Sequence, residues 1–171
     1  KYRVRALVAA GCEPAQVLSE VNRMVAAGGR STDIVTVWIG FLDVAAGEMT
    51  HADGGHPPAL LLHADGGEVE RLGVTGPLLG AVEYAEYEQE RTRVLQGDVV
   101  LLYTDGVTEA REGNKFFGEG RVRRALHYGG SAVDISQRLH AALDRFVRGD
   151  LRDDAAVLVL KIGPRHQEQT A

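Results

Sequence analysis

The sequence predicts an α+β fold, with a run of short antiparallel strands bracketed by helices. Three observations lead there. Strand-length apolar segments follow one another through the middle of the chain, while the clear helical periodicities sit towards its two ends. The turns joining the strands are too short for parallel crossovers. At 171 residues with 44% hydrophobic composition, the chain is long enough for a single buried core.

Taken in order, residues 13–27 read as a helix. Pro14 suits a first turn, Val17, Leu18, Val21, Met24 and Val25 recur as one apolar stripe, and Gly28-Gly29 ends it. Residues 33–43, DIVTVWIGFLD, are β-branched and aromatic, which favours a strand buried on at least one face. Short strands are expected at 48–52, 59–63 and 68–72, separated by the turn chemistry of AAG, GGHPP and ADGG. After a Gly/Pro-rich loop the chain alternates again over 86–95, turns at Gln96-Gly97-Asp98, and enters the apolar run Val99–Tyr103. A weakly marked helix near 118–127 precedes a clear one. Ser131 can cap this second helix with Asp134, and Ile135, Leu139, Ala142, Leu143, Phe146 and Val147 form its apolar face. Residues 155–162, AAVLVLKI, make a last strand, and the polar stretch 164–171 reads as a flexible tail.

Charge and composition remove several classes of function. A net charge of −5 argues against nucleic-acid binding, and Arg121, Arg123 and Arg124 in GRVRRAL read as a solvated helix face. Cys12 is the single cysteine, so neither a disulfide framework nor a cysteine zinc site is available, which fits a reducing, cytoplasmic setting. No apolar run approaches the roughly 20 residues that cross a bilayer, and ALVAAG after the basic start is too short for a secretory core.

The informative feature is acidic. The apolar run LLY breaks at Thr104-Asp105-Gly106, with Glu109 close behind, and a second pair, Asp153-Asp154, opens the last strand. In an antiparallel sheet the end of one strand lies beside the start of its neighbour, so these carboxylates can converge at one edge. Two carboxylates about 4 Å apart repel by roughly 4 kcal/mol at an effective dielectric near 20, unless a proton or a cation separates them. Carboxylate oxygens without Cys or a His pair would select Mg²⁺ or Mn²⁺ over zinc. Read singly, Asp-Gly is also an ordinary turn dipeptide, and an Asp pair before a strand is also an ordinary solvated loop.

Read together, YTDGVTEA (103–110), GHPPALLL (55–62), TGPLLG (75–80), QGDVVLLYTDG (96–106), FFGEGRV (116–122) and RDDAAVLVL (152–160) resemble, in order and spacing, the SpoIIE-like branch of the metal-dependent PPM serine/threonine phosphatases. The resemblance implies an antiparallel β-sandwich flanked by helices, with residues 1–163 forming the C-terminal portion of one phosphatase domain. It implies two Mn²⁺ or Mg²⁺ ions at one end of the sandwich. Matched by motif, Asp105 and Asp153 correspond to metal ligands. Asp154, in the following position, stands behind the ligand, Gly106 completes the Asp-Gly pair, and Glu109 would hold a water or a further ion. His56 stands where the wider superfamily often has an Asp; in Gly-His-Pro-Pro it reads as a loop residue rather than a ligand.

The resemblance further implies hydrolysis of phosphoserine or phosphothreonine on a phosphorylated STAS-type anti-sigma-factor antagonist, sensor domains upstream, and room for a homodimer. Family members carry an early Asp and an Asp-x-x-Gly-His-Gly motif upstream of the region matching residues 1–10. The expectation is therefore an N-terminally truncated domain, with KYRVRALVAAG as the remnant of a helix and little activity in isolation. A non-catalytic regulatory or protein-interaction module of the same fold is the alternative. A two-metal nuclease shares the carboxylate logic but conflicts with the acidic charge.

Overall fold

The computed structural model describes residues 2–28, 34–73, 76–147, 151 and 153–164. Asp33, Val74, Thr75, residues 149, 150 and 152 of the acidic turn before the last strand, and residues 165–171 of the expected tail lie outside that set. The elements are α1 (Tyr2–Ala9), α2 (Pro14–Ala27), β1 (Val37–Asp43), β2 (Glu48–Gly54), β3 (Ala59–Leu62), β4 (Glu70–Leu72), β5 (Glu90–Arg93), β6 (Val99–Tyr103), α3 (Asp105–Thr108), β7 (Arg111–Glu112), β8 (Lys115–Phe116), α4 (Glu119–His127), α5 (Ala132–Phe146) and β9 (Val157–Lys161). The paired strands are antiparallel, as the short connections require.

The chain divides into two compact units, residues 1–58 with 72–93 and residues 59–71 with 94–171. In the first, a three-stranded sheet of order β1-β2-β5 carries α2. Pro14 occupies the first turn of α2, and Glu13 and Gln16 form a reciprocal capping pair. Val17 and Leu18 of the expected stripe are buried, but so is Asn22, which hydropathy alone would place outside. Its amide donates to the carbonyls of Val82 and Glu83 at 2.9 and 3.1 Å and accepts from the Gly80 N–H at 2.8 Å. A fully satisfied buried amide thus pins the Gly/Pro-rich loop to the helix. The strand expected over 86–95 shortens to β5, and β1 starts at Val37 because Val35 leaves the ladder to bridge Leu79.

In the second unit the sheet order is β4-β3-β6-β9. Ala59, Leu60, Leu61 and Leu62 of β3 are all buried, which matches a continuous apolar run rather than an alternating one. Leu60, Leu62, Val99, Leu101 and Tyr103 join Val122 and Leu126 of α4 and Ile135, Leu139 and Leu143 of α5 in one core. Ser131 caps α5 as its sequence suggests: its hydroxyl accepts from the Asp134 N–H at 3.1 Å while the Asp134 carboxylate accepts from the Ser131 N–H at 2.8 Å. The arginines of α4 differ in part from the expected solvated face. Arg123 bonds Glu119 at 2.5 Å and the Val69 carbonyl at 2.6 Å, and Arg121 bonds the Phe116 and Phe117 carbonyls. Arg121 and Arg124 stay exposed as expected, and Arg123 is the one drawn partly inward.

Candidate metal centre

The acidic site grows directly out of the register between β6 and β9. Val99 faces Lys161 and Tyr103 faces Val157. The pairing then runs past both strand ends. Thr104 N–H donates to the Ala156 carbonyl at 3.0 Å, while the Thr104 hydroxyl accepts from the Ala156 N–H and donates to the Asp154 carbonyl, each at 2.9 Å. One side chain therefore ties the segment entering Asp105 to the segment leaving Asp153.

Beyond Thr104 the backbone turns into α3, a single helical turn that sequence reading did not resolve. Glu109 N–H donates to the Asp105 carbonyl at 2.7 Å. Gly106 is buried against the carbonyl of Asp154: a β-carbon there would lie 2.9 Å from that carbonyl carbon, inside van der Waals contact. Glycine in the Asp-Gly pair is thus required by a close approach of two backbones, and the approach is the one that sets the two acidic segments side by side. Each Asp also turns one oxygen to the next amide, Asp105 Oδ1 to Gly106 N–H at 2.9 Å and Asp153 Oδ1 to Asp154 N–H at 2.8 Å, which orients both carboxylates.

A recess of about 360 Å³ opens here, lined by Gly106, Glu109, Ala110, Arg111 and Asp153. The side chains of Asp105, Glu109, Asp153 and Asp154 are exposed. Asp154 takes part through its backbone, by accepting the Thr104 hydroxyl. His56 belongs to the other compact unit. Its N–H donates to Asp53 Oδ1 at 3.1 Å and its Nδ1 donates to the Pro57 carbonyl at 2.8 Å, so both groups close its own loop. Asp53 itself is fully buried at the end of β2, and burial pushes its carboxyl up to about 6 against the lowering effect of the His56 backbone and ring.

The donor set fits a divalent cation in kind, because hard carboxylate oxygens suit Mg²⁺ or Mn²⁺. In number it falls short of a protein cage. Among the described residues no group of three or more His, Cys, Asp or Glu is disposed to hold a metal ion. The fit is that of an ion held by one or two carboxylates with water completing the shell, which is how Mg²⁺ usually binds.

Arg111, at the wall of the recess, was missed in the sequence. Its signal was nevertheless present: Gly113-Asn114 separates Arg111-Glu112 from Lys115-Phe116, and such a two-residue pair is a hairpin turn. Deeper in this unit, Glu119 links Arg71, Arg123 and the hydroxyl of Tyr103. Burial acts to raise the Glu119 carboxyl, but bonds from Arg71 and Arg123 outweigh it and hold it below its ordinary value. Burial first, and Glu119 second, push the Tyr103 phenol well up.

This arrangement of antiparallel sheets and helices is the PP2C-type phosphatase fold. The structure matches the SiaA-PP2C domain of Pseudomonas aeruginosa with a TM-score of 0.76 at 20% identity, covering 94% of this chain and 64% of that one. It matches the RsbU and RsbW domains of Rv1364c from Mycobacterium tuberculosis with a TM-score of 0.75 at 25% identity, covering 96% of this chain and 47% of that one. The family model for stage II sporulation protein E (SpoIIE) matches residues 1–163, and the chain belongs to that family. Phosphoserine phosphatase RsbU of Bacillus subtilis is 26% identical over 163 residues, which are 94% of this chain and 49% of RsbU. The chain therefore spans about half the length of that relative. Among the described residues no helix is long and apolar enough to cross a membrane.

Proposed function

We propose that this chain forms the Asp-Gly and Asp-Asp portion of a metal-dependent phosphoprotein phosphatase that hydrolyses phosphoserine or phosphothreonine monoesters. The observation that carries the reading is the β6–β9 register, extended by Thr104 and by the Gly106–Asp154 approach, which gathers the two acidic segments at one recess. In the chain's own chemistry, Asp105 and Asp153 supply the carboxylates that hold the cations, and their bonds to the following amides keep them aimed. Glu109, at the edge of the recess, would hold a water or a further ion. Mn²⁺ or Mg²⁺ bound there, two ions in the complete domain, supplies a lowered water pKa and neutralises charge on the phosphoryl oxygens. Residues 1–163 act as part of one phosphatase domain in the cytoplasm, alongside upstream sensor modules. By the same family reasoning the substrate is a phosphorylated STAS-type anti-sigma-factor antagonist; RsbU, named as a phosphoserine phosphatase, supports the phosphoserine class.

A second reading is favoured by one observation, the lack of a three-ligand cluster among the described residues. On that reading the chain is a non-catalytic module that keeps the fold for protein interaction.

Hydrolysis of an aryl phosphate and of a phosphoserine STAS protein by the full-length protein separates the two. Turnover should need Mn²⁺ or Mg²⁺, vanish in chelator, and fall by about 100-fold or more in Asp105→Asn and Asp153→Asn with the melting temperature preserved. Unchanged turnover in chelator rejects the metal-dependent mechanism, unchanged turnover in either variant rejects Asp105 and Asp153 as the ligands, and no turnover at all with saturating metal selects the interaction module. The isolated 171-residue chain should bind Mn²⁺ weakly in calorimetry.

A further inference from the structure

We infer that Arg111 receives the phosphoryl oxygens of the substrate at this recess; the inference rests on the phosphatase reading above and extends it to a substrate-binding side chain. The backbone that carries Arg111 is held on both sides. Phe117 N–H donates to the Ala110 carbonyl at 2.8 Å and Gly118 N–H to the Thr108 carbonyl at 2.9 Å, which anchors the β7–β8 hairpin to the end of α3. Phe117 is buried and meets Phe146 edge-on at 5.5 Å. The hairpin register places Arg111 opposite Phe116, and the guanidinium lies 4.2 Å from the centre of that ring. A ring under its flat face holds a guanidinium plane while leaving the N–H edge open for hydrogen bonds.

The partners of Arg111 set it apart from its neighbours. Arg121 and Arg138 spend their donors on backbone carbonyls, Arg71 spends its donors on Glu119, and Arg123 divides its own between Glu119 and the Val69 carbonyl. Arg111 lines the same recess as Glu109 and Asp153, yet among the described residues it forms no ion pair. A cation kept in place by an aromatic face, beside carboxylates it does not neutralise, has its fork free for an incoming anion. A phosphate monoester is the anion this recess must admit. The carboxylates that hold cations also repel the ester, and a planar fork of donors both offsets that repulsion and fixes the phosphoryl group through two parallel bonds. Lysine, a point charge on a flexible stem, would do the first without the second.

Inorganic phosphate is the probe. In the 15N-labelled chain in chelator, titration with phosphate should shift the Arg111 Nε–Hε resonance, and Arg111→Ala should weaken phosphate binding about fivefold or more. In the full-length protein with Mn²⁺, Arg111→Ala should raise both KM for p-nitrophenyl phosphate and the inhibition constant of phosphate roughly tenfold, with the half-saturating Mn²⁺ concentration and the melting temperature unchanged. Arg111→Lys should recover part of the loss, and Phe116→Ala should fall between wild type and Arg111→Ala. An Arg111 resonance that phosphate leaves unmoved, or KM and inhibition constants in Arg111→Ala within twofold of wild type, overturns the inference. Hydrolysis that is intact in Arg111→Ala refutes this role and leaves the phosphatase reading standing. Phosphate bound at Arg111 in a protein without hydrolysis does the reverse.

Discussion

Gly106→Ala is the substitution in which fold and site are tested together. The added β-carbon would overlap the Asp154 carbonyl, 2.9 Å from its carbon, and the obstacle is backbone rather than the end of a flexible side chain. Relief requires the Asp153–Ala155 segment to move away from α3, which strains the 2.9 Å bond from the Thr104 hydroxyl to the same carbonyl. Overpacking of this kind costs about 1–3 kcal/mol, and a weakened hydrogen bond adds about 1 kcal/mol. Alanine's better helical propensity returns at most about 1 kcal/mol in so short a helix. The net expectation is a loss of about 2 kcal/mol, or roughly 4–8 °C in melting temperature for a domain of this size. Gly120→Ala is the internal control. Gly120 lies in α4, is exposed, and a β-carbon there meets nothing within 4 Å, so the same chemical change should stabilise by about 0.5 kcal/mol. Urea unfolding of both variants gives the two signs directly, and Mn²⁺ titration should show weakened binding in Gly106→Ala alone. A Gly106→Ala protein as stable as wild type would show that the acidic segments are not in backbone contact, and the proposed site would go with it.

Other expectations follow from the same geometry. Thr104→Val, which keeps the shape and removes the hydroxyl shared by Asp154 and Ala156, should cost about 1–3 kcal/mol in urea unfolding and weaken Mn²⁺ binding. Asp98 is buried and accepts from Leu95 N–H and Ala64 N–H at 2.8 Å each and from His63 at 3.0 Å. Asp98→Ala strands those donors and should cost about 2–4 kcal/mol, without altering phosphate binding if the effect is confined to the turn. Asp53 supplies a pH test. Its carboxyl titrates near 6 in the folded state against an ordinary value of 3.8. Between those values the folded chain binds more protons than the unfolded one, so stability due to Asp53 falls as pH rises through that window. The full penalty, on the order of 3 kcal/mol, is present above pH 6 and absent below the unfolded value. Asp53→Asn should therefore be more stable than wild type at pH 7 and nearly equal to it at pH 4; equal stability at both values would contradict the assignment.

Periodicity made the large elements legible. The stripe of α5, from Ile135 to Phe146, lies in the core as its spacing requires, with Val147 packing there from just past the helix end, and Pro14 and Ser131 mark the starts of α2 and α5. The turn residues separated the strands, though ends moved by several residues where Val35 and Glu86–Gln89 left the ladders. Asn22 escaped notice because its burial depends on three backbone groups about 60 positions away. In VLVL of β9 both faces are apolar, so composition cannot say which one turns inward. Packing chooses Val157 and Val159 and leaves Leu158 and Leu160 outside. The β7–β8 hairpin carried a Gly-Asn turn that could have been read, but strands of two residues show no period of their own.

The order of residues alone determined the α+β class, the antiparallel pairing and the two acidic pairs, because helical stripes, short turns and charged breaks in apolar runs are local facts. Tertiary structure decided that Asp105-Gly106 and Asp153-Asp154 lie side by side, that Thr104 joins them, and that Arg111 lines the same recess. Register is the physical reason. One residue of slip between β6 and β9 would turn each side chain to the other face of the sheet, and only the packing of Leu101, Tyr103, Val157 and Val159 into a shared core excludes it.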